Sequence, residues 1–209
     1  MRHLQLALEG ASRNPPSDAR QQCSGSASRT ICDIATERRP VAAPGEVSAA
    51  SLPSVTVQSR EPTLRRLAGE ITAGAVQAQE RIRAILGWMN RNIRKEPADV
   101  FSALDVVDSG RAECQGHAYL YAALARASGL PTRVVNGLVY SPEHDGFLFH
   151  TWVESAVQGH WQAIDPTFGQ LEADATHIAL VYGETLGDLV PLLDWVGKAR
   201  ATVLSAAAP

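Results

Sequence analysis

The sequence has few of the features that mark specialised classes of protein. Its 209 residues include three cysteines, and 19 basic against 22 acidic side chains give a formal net charge of −3. Three irregularly spaced cysteines are too few for a secreted disulfide framework, and the lack of a basic excess argues against nucleic acid as a partner. No apolar run is long enough to span a membrane. The apolar fraction of 45% predicts a globular chain that can bury a core.

Aromatic residues are missing from the first 60 residues, and all of them lie between Trp88 and Trp195. Residues 11–60 are rich in Ser, Ala, Pro and Arg and have no apolar period, which is typical of a segment that cannot offset its ordering entropy. We therefore expect residues 1–58 to be disordered or to lie outside the core, and residues 59–209 to form the folded domain.

Three further expectations follow for the N-terminal segment. Removal of residues 1–55 should leave the melting temperature almost unchanged. Cys23 and Cys32, which lie in this segment, receive no chemical role. The opening apolar stretch is interrupted by Glu9 and forms no export signal, so the sequence predicts a cytoplasmic protein.

The apolar pattern beyond Glu61 predicts helices followed by strands. One helix begins at Pro62, a second carries an apolar stripe from Ile82 to Ile93, and a third runs from near Cys114 to Gly129. The period then changes to two, which predicts strands at Thr132–Tyr140, Phe147–Val157 and His160–Ile164. This order favours an α+β fold in which an antiparallel sheet packs against the third helix.

Cys114 is the first candidate for chemistry. The preceding residues deliver its thiol to the opening turn of the third helix, where unpaired N–H groups and the positive end of the helix dipole favour the reactive thiolate. A free cysteine is also a common small core residue, so Cys114 alone does not identify an enzyme.

His150 and Asp165 are predicted to share one face of the sheet. A two-residue loop at Gln158-Gly159 would pair Val157 with His160, and Trp152 would then lie opposite Asp165. Alternation along the strand places His150 on the same side as Trp152. A three-residue loop would instead put Asp165 on the opposite face. His150 could also be a hydrogen-bonded residue of the sheet without a catalytic role. Asp165, which precedes Pro166, could be a cap at the end of the strand.

Several motifs together resemble the transglutaminase-like superfamily. They are Arg111-Ala112-Glu113-Cys114-Gln115-Gly116-His117-Ala118, Ala125-Arg126-Ala127-Ser128-Gly129-Leu130-Pro131-Thr132-Arg133, His150-Thr151-Trp152-Val153-Glu154, Trp161, and Asp165-Pro166-Thr167.

The resemblance runs from about Pro62 to the C-terminus and includes an Asp174-Ala175-Thr176-His177 segment similar to one in bacterial members. It implies a papain-like α+β core with Cys114 as nucleophile, His150 as base and Asp165 as the orienting acid. One residue departs from the family pattern, because Ala112 stands where relatives usually have glycine. Its extra methyl group puts substrate access in question.

A metal site is an alternative use of the same side chains. Cys114 and His117 are three residues apart on a helix, and His150 with Asp165 could complete a zinc site. No Cys-x-x-Cys or His-x-x-x-His pair reinforces this alternative. No calcium-loop spacing, phosphate loop or dinucleotide fingerprint is evident, so no cofactor is expected. The roles of Asp174 and His177 stay open.

The residues leave three functions in competition. Cys114 could transfer an acyl group from a carboxamide or peptide carbonyl to an amine, or the same triad could pass it to water as a peptidase or amidase. A catalytically silent module that binds peptides is the third possibility. In each case the expected partner is a protein or peptide, with no membrane span and with an oligomeric state that the sequence does not define.

Overall fold

A computed structural model describes residues 1–26 and 28–207, and these form two compact units. The first unit contains three pieces of the chain, Met1–Pro40, Val135–His150 and Ala173–Pro209. The second contains Val41–Val134 and Thr151–Glu172. The predicted boundary at residue 58 therefore does not coincide with the division that the structure shows.

Helices and strands alternate irregularly along the chain. The helices are α1 (Pro44–Ala49), α2 (Pro62–Ile71), α3 (Ala78–Asn92), α4 (Ala103–Ser109), α5 (Cys114–Ala127), α6 (Leu186–Leu189) and a 3-10 helix (Val190–Asp194). The strands are β1 (His3–Glu9), β2 (Gln21–Ser26), β3 (Arg29–Ala35), β4 (Arg94–Lys95), β5 (Arg111–Ala112), β6 (Thr132–Ser141), β7 (Gly146–Val157), β8 (His160–Ile164), β9 (Ile178–Tyr182) and β10 (Arg200–Ala207).

The three predicted helices are present. Pro62 is the first residue of α2, where its missing N–H costs no intrahelical bond. The side chain of Glu80 accepts hydrogen bonds from the backbone N–H groups of Val76 and Gln77 at the start of α3. Gly129, just past the end of α5, has a φ of 80°, the left-handed conformation that favours glycine.

The second unit is built around α5. From Gly116 to Ala125 every residue of this helix is buried, so α5 is apolar on all sides and lies in the core. Its packing partners come from α2, α3, α4 and the strands of the same unit; they include Leu64, Ile82, Ile85, Leu86, Met89, Val106, Val153 and Ile164.

The sheet predicted from residues 132 to 164 forms, with one additional strand. Its order is β8-β7-β6-β9, with β7 antiparallel to β8 and β6 antiparallel to β9. Gln158 and Gly159 both have positive φ, at 51° and 79°, as a two-residue hairpin turn requires, and Val157 pairs with His160. The loop length and the register are therefore as predicted.

The first unit corrects the expectation that residues 1–58 are disordered or lie outside the core. Strands β1, β2 and β3 join β10 in a four-stranded antiparallel sheet of order β10-β1-β3-β2. The core of this unit consists of aliphatic residues from β1 and β3 packed with residues far along the chain: Leu4, Leu6, Leu8, Cys32, Ile34, Leu138, Ala175, Ile178, Leu180, Val181 and Trp195. The aromatic anchor of this core, Trp195, lies far from β1 in sequence, so the local composition of the segment concealed it.

Cys23 and Cys32 form a disulfide across β2 and β3, where they are directly paired residues. Their Cα atoms are 4.1 Å apart. No role is predicted for either cysteine from the sequence, and in the structure they form a covalent link between two strands of the first unit.

Within the described part of the chain, no helix combines the length and apolar character needed to cross a membrane.

Candidate active site

Cys114 is the first residue of α5 and is partly exposed. Two short elements fix the chain just before it, because Arg111 and Ala112 in β5 pair in parallel with Arg94 and Lys95 in β4. The first N–H groups of a helix have no partner within it, and they carry its partial positive charge. The thiol therefore lies where the backbone favours an anion, as the sequence predicted.

Ala112, which stands where the resemblance predicts glycine, is fully buried. It packs against the backbone of α5, since a Cβ placed on Gly116 would lie only 2.6 Å from the Cβ of Ala112. The extra methyl group therefore takes up space beside Gly116 inside the second unit. A glycine at position 116 allows this close approach.

His117 is held by its own helix. Its Nδ1 lies 3.0 Å from the carbonyl oxygen of Glu113, and its side chain is buried. Among the described residues, no cluster of metal-ligating side chains contains Cys114 or His117. The zinc site that the sequence left as an alternative is not assembled with these two residues.

Asp165 follows β8 and is completely buried. Its Oδ1 accepts hydrogen bonds from the backbone N–H groups of Thr167 at 2.7 Å and Phe168 at 3.1 Å. Its backbone pairs with Gln170 in both directions, so the chain turns tightly after the strand. The carboxylate does cap this turn, and because it has two oxygens, this role is compatible with a second one.

β7 connects the residues around His150 with the hairpin. Val153 pairs with Ile164, so the next residues in register are Trp152 and Asp165. Alternation along β7 places His150 on the face of Trp152. From His150 to Ser155 all residues are buried, which shows that both faces of this part of β7 are covered.

The three residues predicted to act together are divided between the two units. Cys114 and Asp165 belong to the second unit and His150 to the first. Within the first unit, His150 lies beside His177: their ring centroids are 5.8 Å apart and their planes are inclined at 64°. Sequence reasoning left His177 without a role.

Asp174 is the partner of His177 in the same loop. Burial raises the pKa of the Asp174 carboxyl, but hydrogen bonds from His177 and from the hydroxyl and backbone of Thr176 outweigh burial and hold that pKa below its usual range. Nδ1 of His177 lies 3.4 Å from Oδ1 of Asp174. An ionised Asp174 therefore holds the edge of the His177 ring.

An ion pair between a partly buried arginine and a buried glutamate supports the hairpin in the second unit. Arg133 donates to the carboxylate of Glu154 at 2.8 Å through Nε, and its guanidinium lies 4.4 Å from the centroid of the Trp161 ring. Glu46 in α1 accepts a hydrogen bond from the indole of Trp161 at 3.2 Å and lies 3.3 Å from Arg133. Sequence reasoning missed this network because Glu46 lies in the segment expected to be outside the core.

Comparison with known proteins agrees with the motifs. Residues 65–166 match the model of the transglutaminase-like superfamily. The mouse kyphoscoliosis peptidase is 26% identical over 144 residues, which are 61% of this chain and 21% of that protein. An uncharacterised protein of Mycobacterium leprae is 30% identical over 98 residues, or 44% of this chain and 34% of that protein. The matches thus span 21% and 34% of the length of these curated relatives.

Solved structures show the same fold. A candidate cysteine protease from Cytophaga hutchinsonii superimposes with a TM-score of 0.66 at 17% identity and covers all of this chain and 88% of that one. The periplasmic domain of TgpA from Pseudomonas aeruginosa superimposes with a TM-score of 0.56 at 21% identity, over 80% of this chain and 70% of that one. The predicted papain-like α+β fold is confirmed, and within it residues 65–166 are the part that resembles the transglutaminase-like superfamily.

Proposed function

We propose that this protein is a cysteine-dependent acyl-transfer enzyme that acts on the carboxamide or peptide carbonyl groups of a protein or peptide. The observation that carries the proposal is the position of Cys114 as the first residue of α5, partly exposed, within the matched superfamily core. A thiol at this end of a helix is favoured as thiolate, which is the form that attacks carbon.

In this proposal His150 is the general base and Asp165 orients it. The pairing of Val153 with Ile164, the residue before Asp165, and the alternation of side chains along β7 support this assignment. Burial of Asp165 and its two backbone hydrogen bonds fix the carboxylate in one orientation. A fixed carboxylate selects one tautomer of a neighbouring imidazole and stabilises the imidazolium that forms during the reaction.

The reaction has two halves. His150 takes the thiol proton of Cys114 and the sulfur bonds to the carbonyl carbon. The carbon–nitrogen bond then breaks, and the leaving ammonia or amine takes that proton from His150. A thioester to Cys114 remains. An amine or a water molecule then attacks the thioester carbon while giving a proton to His150, and the carbon–sulfur bond breaks to restore the thiolate. Backbone N–H groups at the start of α5 would stabilise the negative charge on the carbonyl oxygen.

The acceptor of the acyl group distinguishes two forms of this activity. The mouse relative is named a peptidase, which favours water as the acceptor, whereas the superfamily's name favours an amine. The discriminating experiment incubates the enzyme with a glutamine-containing peptide, with and without a primary amine, and identifies the products by mass spectrometry. An amine-linked product supports the transferase, and a free acid alone supports the hydrolase.

Trapping the intermediate tests the common proposal. The protein is incubated with a panel of amides and thioesters, quenched in acid and analysed by peptide mapping. We expect an acyl adduct on the peptide that contains Cys114, and none in the Cys114→Ala variant. An adduct that persists in Cys114→Ala would show that another residue is the nucleophile.

A further inference from the structure

We propose that His177 is a positioning residue for the imidazole of His150 and that Arg20, in the N-terminal segment, holds His177 in place. The inference rests on the proposed function, since it concerns the base of that reaction. All of its contacts lie within the first unit.

The first step is the contact between the two imidazoles. The rings of His150 and His177 meet edge to face, with a centroid separation of 5.8 Å and an angle of 64°, and both side chains are buried. Rotation about the last side-chain bond of a histidine is broad, so the chain alone does not define the orientation of the ring. A neighbouring ring in edge-to-face contact restricts that rotation for His150.

The second step is the orientation of His177 itself. Its Nδ1 lies 3.2 Å from the carbonyl oxygen of Asp174, and a carbonyl oxygen can only accept, so Nδ1 carries the hydrogen. The carboxylate of Asp174 lies on the same edge, 3.4 Å from Nδ1 at its Oδ1. That Oδ1 is in turn fixed by the backbone N–H of Thr176 at 2.8 Å and by its hydroxyl at 2.6 Å. These contacts favour the tautomer of His177 with the hydrogen on Nδ1, and they hold the Nδ1 edge of its ring in place.

The third step is the anchor of the loop that carries this pair. The guanidinium of Arg20 is buried and donates to three backbone carbonyls of the loop: to Ala173 at 3.0 Å, to Asp174 at 2.7 Å and to His177 at 3.1 Å. The planar fork of arginine presents five donors in fixed directions, so a single side chain can span both ends of the loop. The N-terminal segment thus determines where His177 lies.

The neighbouring residue strengthens the same connection. The side chain of Gln21 donates to the carbonyl oxygen of Ala179 at 2.9 Å and accepts from its N–H at 2.8 Å. The side-chain amide of Gln21 therefore bonds to both backbone groups of Ala179 in β9, as the backbone of a neighbouring strand would. Arg20 and Gln21 together fix the chain on both sides of His177.

The test compares His177→Ala and Arg20→Lys with wild type by two measurements. The first is the steady-state kinetics of acyl transfer, in which we expect kcat to fall by about 10- to 100-fold, while KM changes by no more than about twofold, because misorientation of the base affects the chemical step. The second is the NMR spectrum of the protein labelled at histidine, with His150 assigned from the signals lost in His150→Ala. We expect the His150 signals to shift in both variants.

His3→Ala is the matched control. His3 lies in the same unit and also pairs with an aspartate, since its Nε2 is 2.7 Å from Oδ2 of Asp33. We expect this variant to have the kcat of wild type and His150 signals at the wild-type positions. A shift of the His150 signals in the control as large as that in His177→Ala would attribute the effect to general loosening of the unit and overturn the inference.

The outcomes separate this inference from the proposed function. If wild type shows no turnover that depends on Cys114, the proposed function fails, and the spectrum alone decides whether His177 orients His150. Unchanged His150 signals and kcat within twofold of wild type in His177→Ala and Arg20→Lys overturn the inference. Should His177→Ala not fold, judged by circular dichroism, Arg20→Lys provides the same comparison with the charge retained.

Discussion

The Cβ of Ala112 fills the space in which a side chain at Gly116 would begin, with 2.6 Å between the Cβ of Ala112 and the position of a Cβ on residue 116. Valine methyl groups of Val100 and Val106 lie 3.0 Å from the same position. The start of the nucleophile helix is therefore closely packed on its inner side, two residues from Cys114.

Gly116→Ala should consequently destabilise the protein although it raises helix propensity. We expect a loss of about 1–3 kcal/mol from overpacking, and a reduced rate of Cys114 alkylation because the first turn of α5 must shift. Gly69→Ala is the control, since Gly69 is also helical and a Cβ there meets nothing within 4 Å. It should be neutral or stabilising by up to about 1 kcal/mol. Urea unfolding of both variants measures the difference, and equal stabilities would contradict the packing argument.

Substitution of the proposed nucleophile and base should remove turnover and leave the fold intact. We expect Cys114→Ala and His150→Ala each to lower kcat by about a thousandfold or more, because residues that act as a unit lose their function together. Thermal unfolding checks that each variant folds. Wild-type activity in either variant would show that the reaction uses another site.

Asp165→Asn should be less severe. The asparagine oxygen can still accept from the N–H groups of Thr167 and Phe168, so the turn after β8 survives, but the charge that stabilises imidazolium is lost. We expect kcat to fall by about 10²- to 10⁴-fold with measurable residual activity. Steady-state kinetics with an amide or thioester that acylates wild type measure the decrease in kcat. Complete loss of activity together with a lower melting temperature would instead indicate a structural role.

Thiol chemistry distinguishes a nucleophile from an inert cysteine in a binding module. With Cys23 and Cys32 in a disulfide, Cys114 is the one cysteine of the described residues that lies outside a disulfide, so native protein without reductant should give one reactive thiol per chain. We expect iodoacetamide to label Cys114 well below pH 8.5, the approximate pKa of an ordinary thiol. Peptide mapping locates the label. Labelling that appears only in denaturant would favour the binding module.

The sequence was most informative where the physical signal is local. The apolar stripe of α3, the glycine after α5 and the two-residue turn at Gln158-Gly159 each depend on residues close in sequence, and these elements formed as predicted. The register that followed from the turn is the one observed, from Val157 opposite His160 to Val153 opposite Ile164. Such features need no knowledge of distant partners.

The first unit could not be predicted in the same way. The alternation of Leu4, Leu6 and Leu8 is a strand pattern, but the residues that cover it, such as Ile178 and Trp195, come from the other end of the chain. The hydrogen bonds from Arg20 to the backbone of residues 173–177 likewise join distant parts of the chain. Local composition therefore predicts that such a segment cannot form a core, because the residues that cover it lie elsewhere in the sequence.

Asp174 should make stability depend on pH in the acid range. Its pKa is lower in the folded protein than in the unfolded chain, so the folded state is favoured above the unfolded pKa of about 4, and this contribution is lost as the pH falls toward the folded value. The comparison is between wild type and Asp174→Asn, with the melting temperature measured from pH 7 down to pH 2.5. We expect the wild-type advantage to be constant above about pH 5 and to shrink below about pH 4. A difference that stays constant over the whole range would show that the charge of Asp174 contributes nothing.

The N-terminal strands should be essential for stability, contrary to the expectation from composition. Leu6 in β1 is fully buried in the core of the first unit, so Leu6→Ala should cost about 2–5 kcal/mol through lost burial and the cavity it leaves. Ile31 in β3 is 37% exposed and provides the control, since Ile31→Ala removes a side chain of similar size from a less buried place. Urea unfolding should show a clearly lower midpoint for Leu6→Ala than for Ile31→Ala, and removal of residues 1–35 should lower the melting temperature further. If the truncated protein had the same melting temperature as wild type, the stability of the first unit would not depend on β1 and β3. The proposed role of Arg20 in holding His177 would then lose its basis.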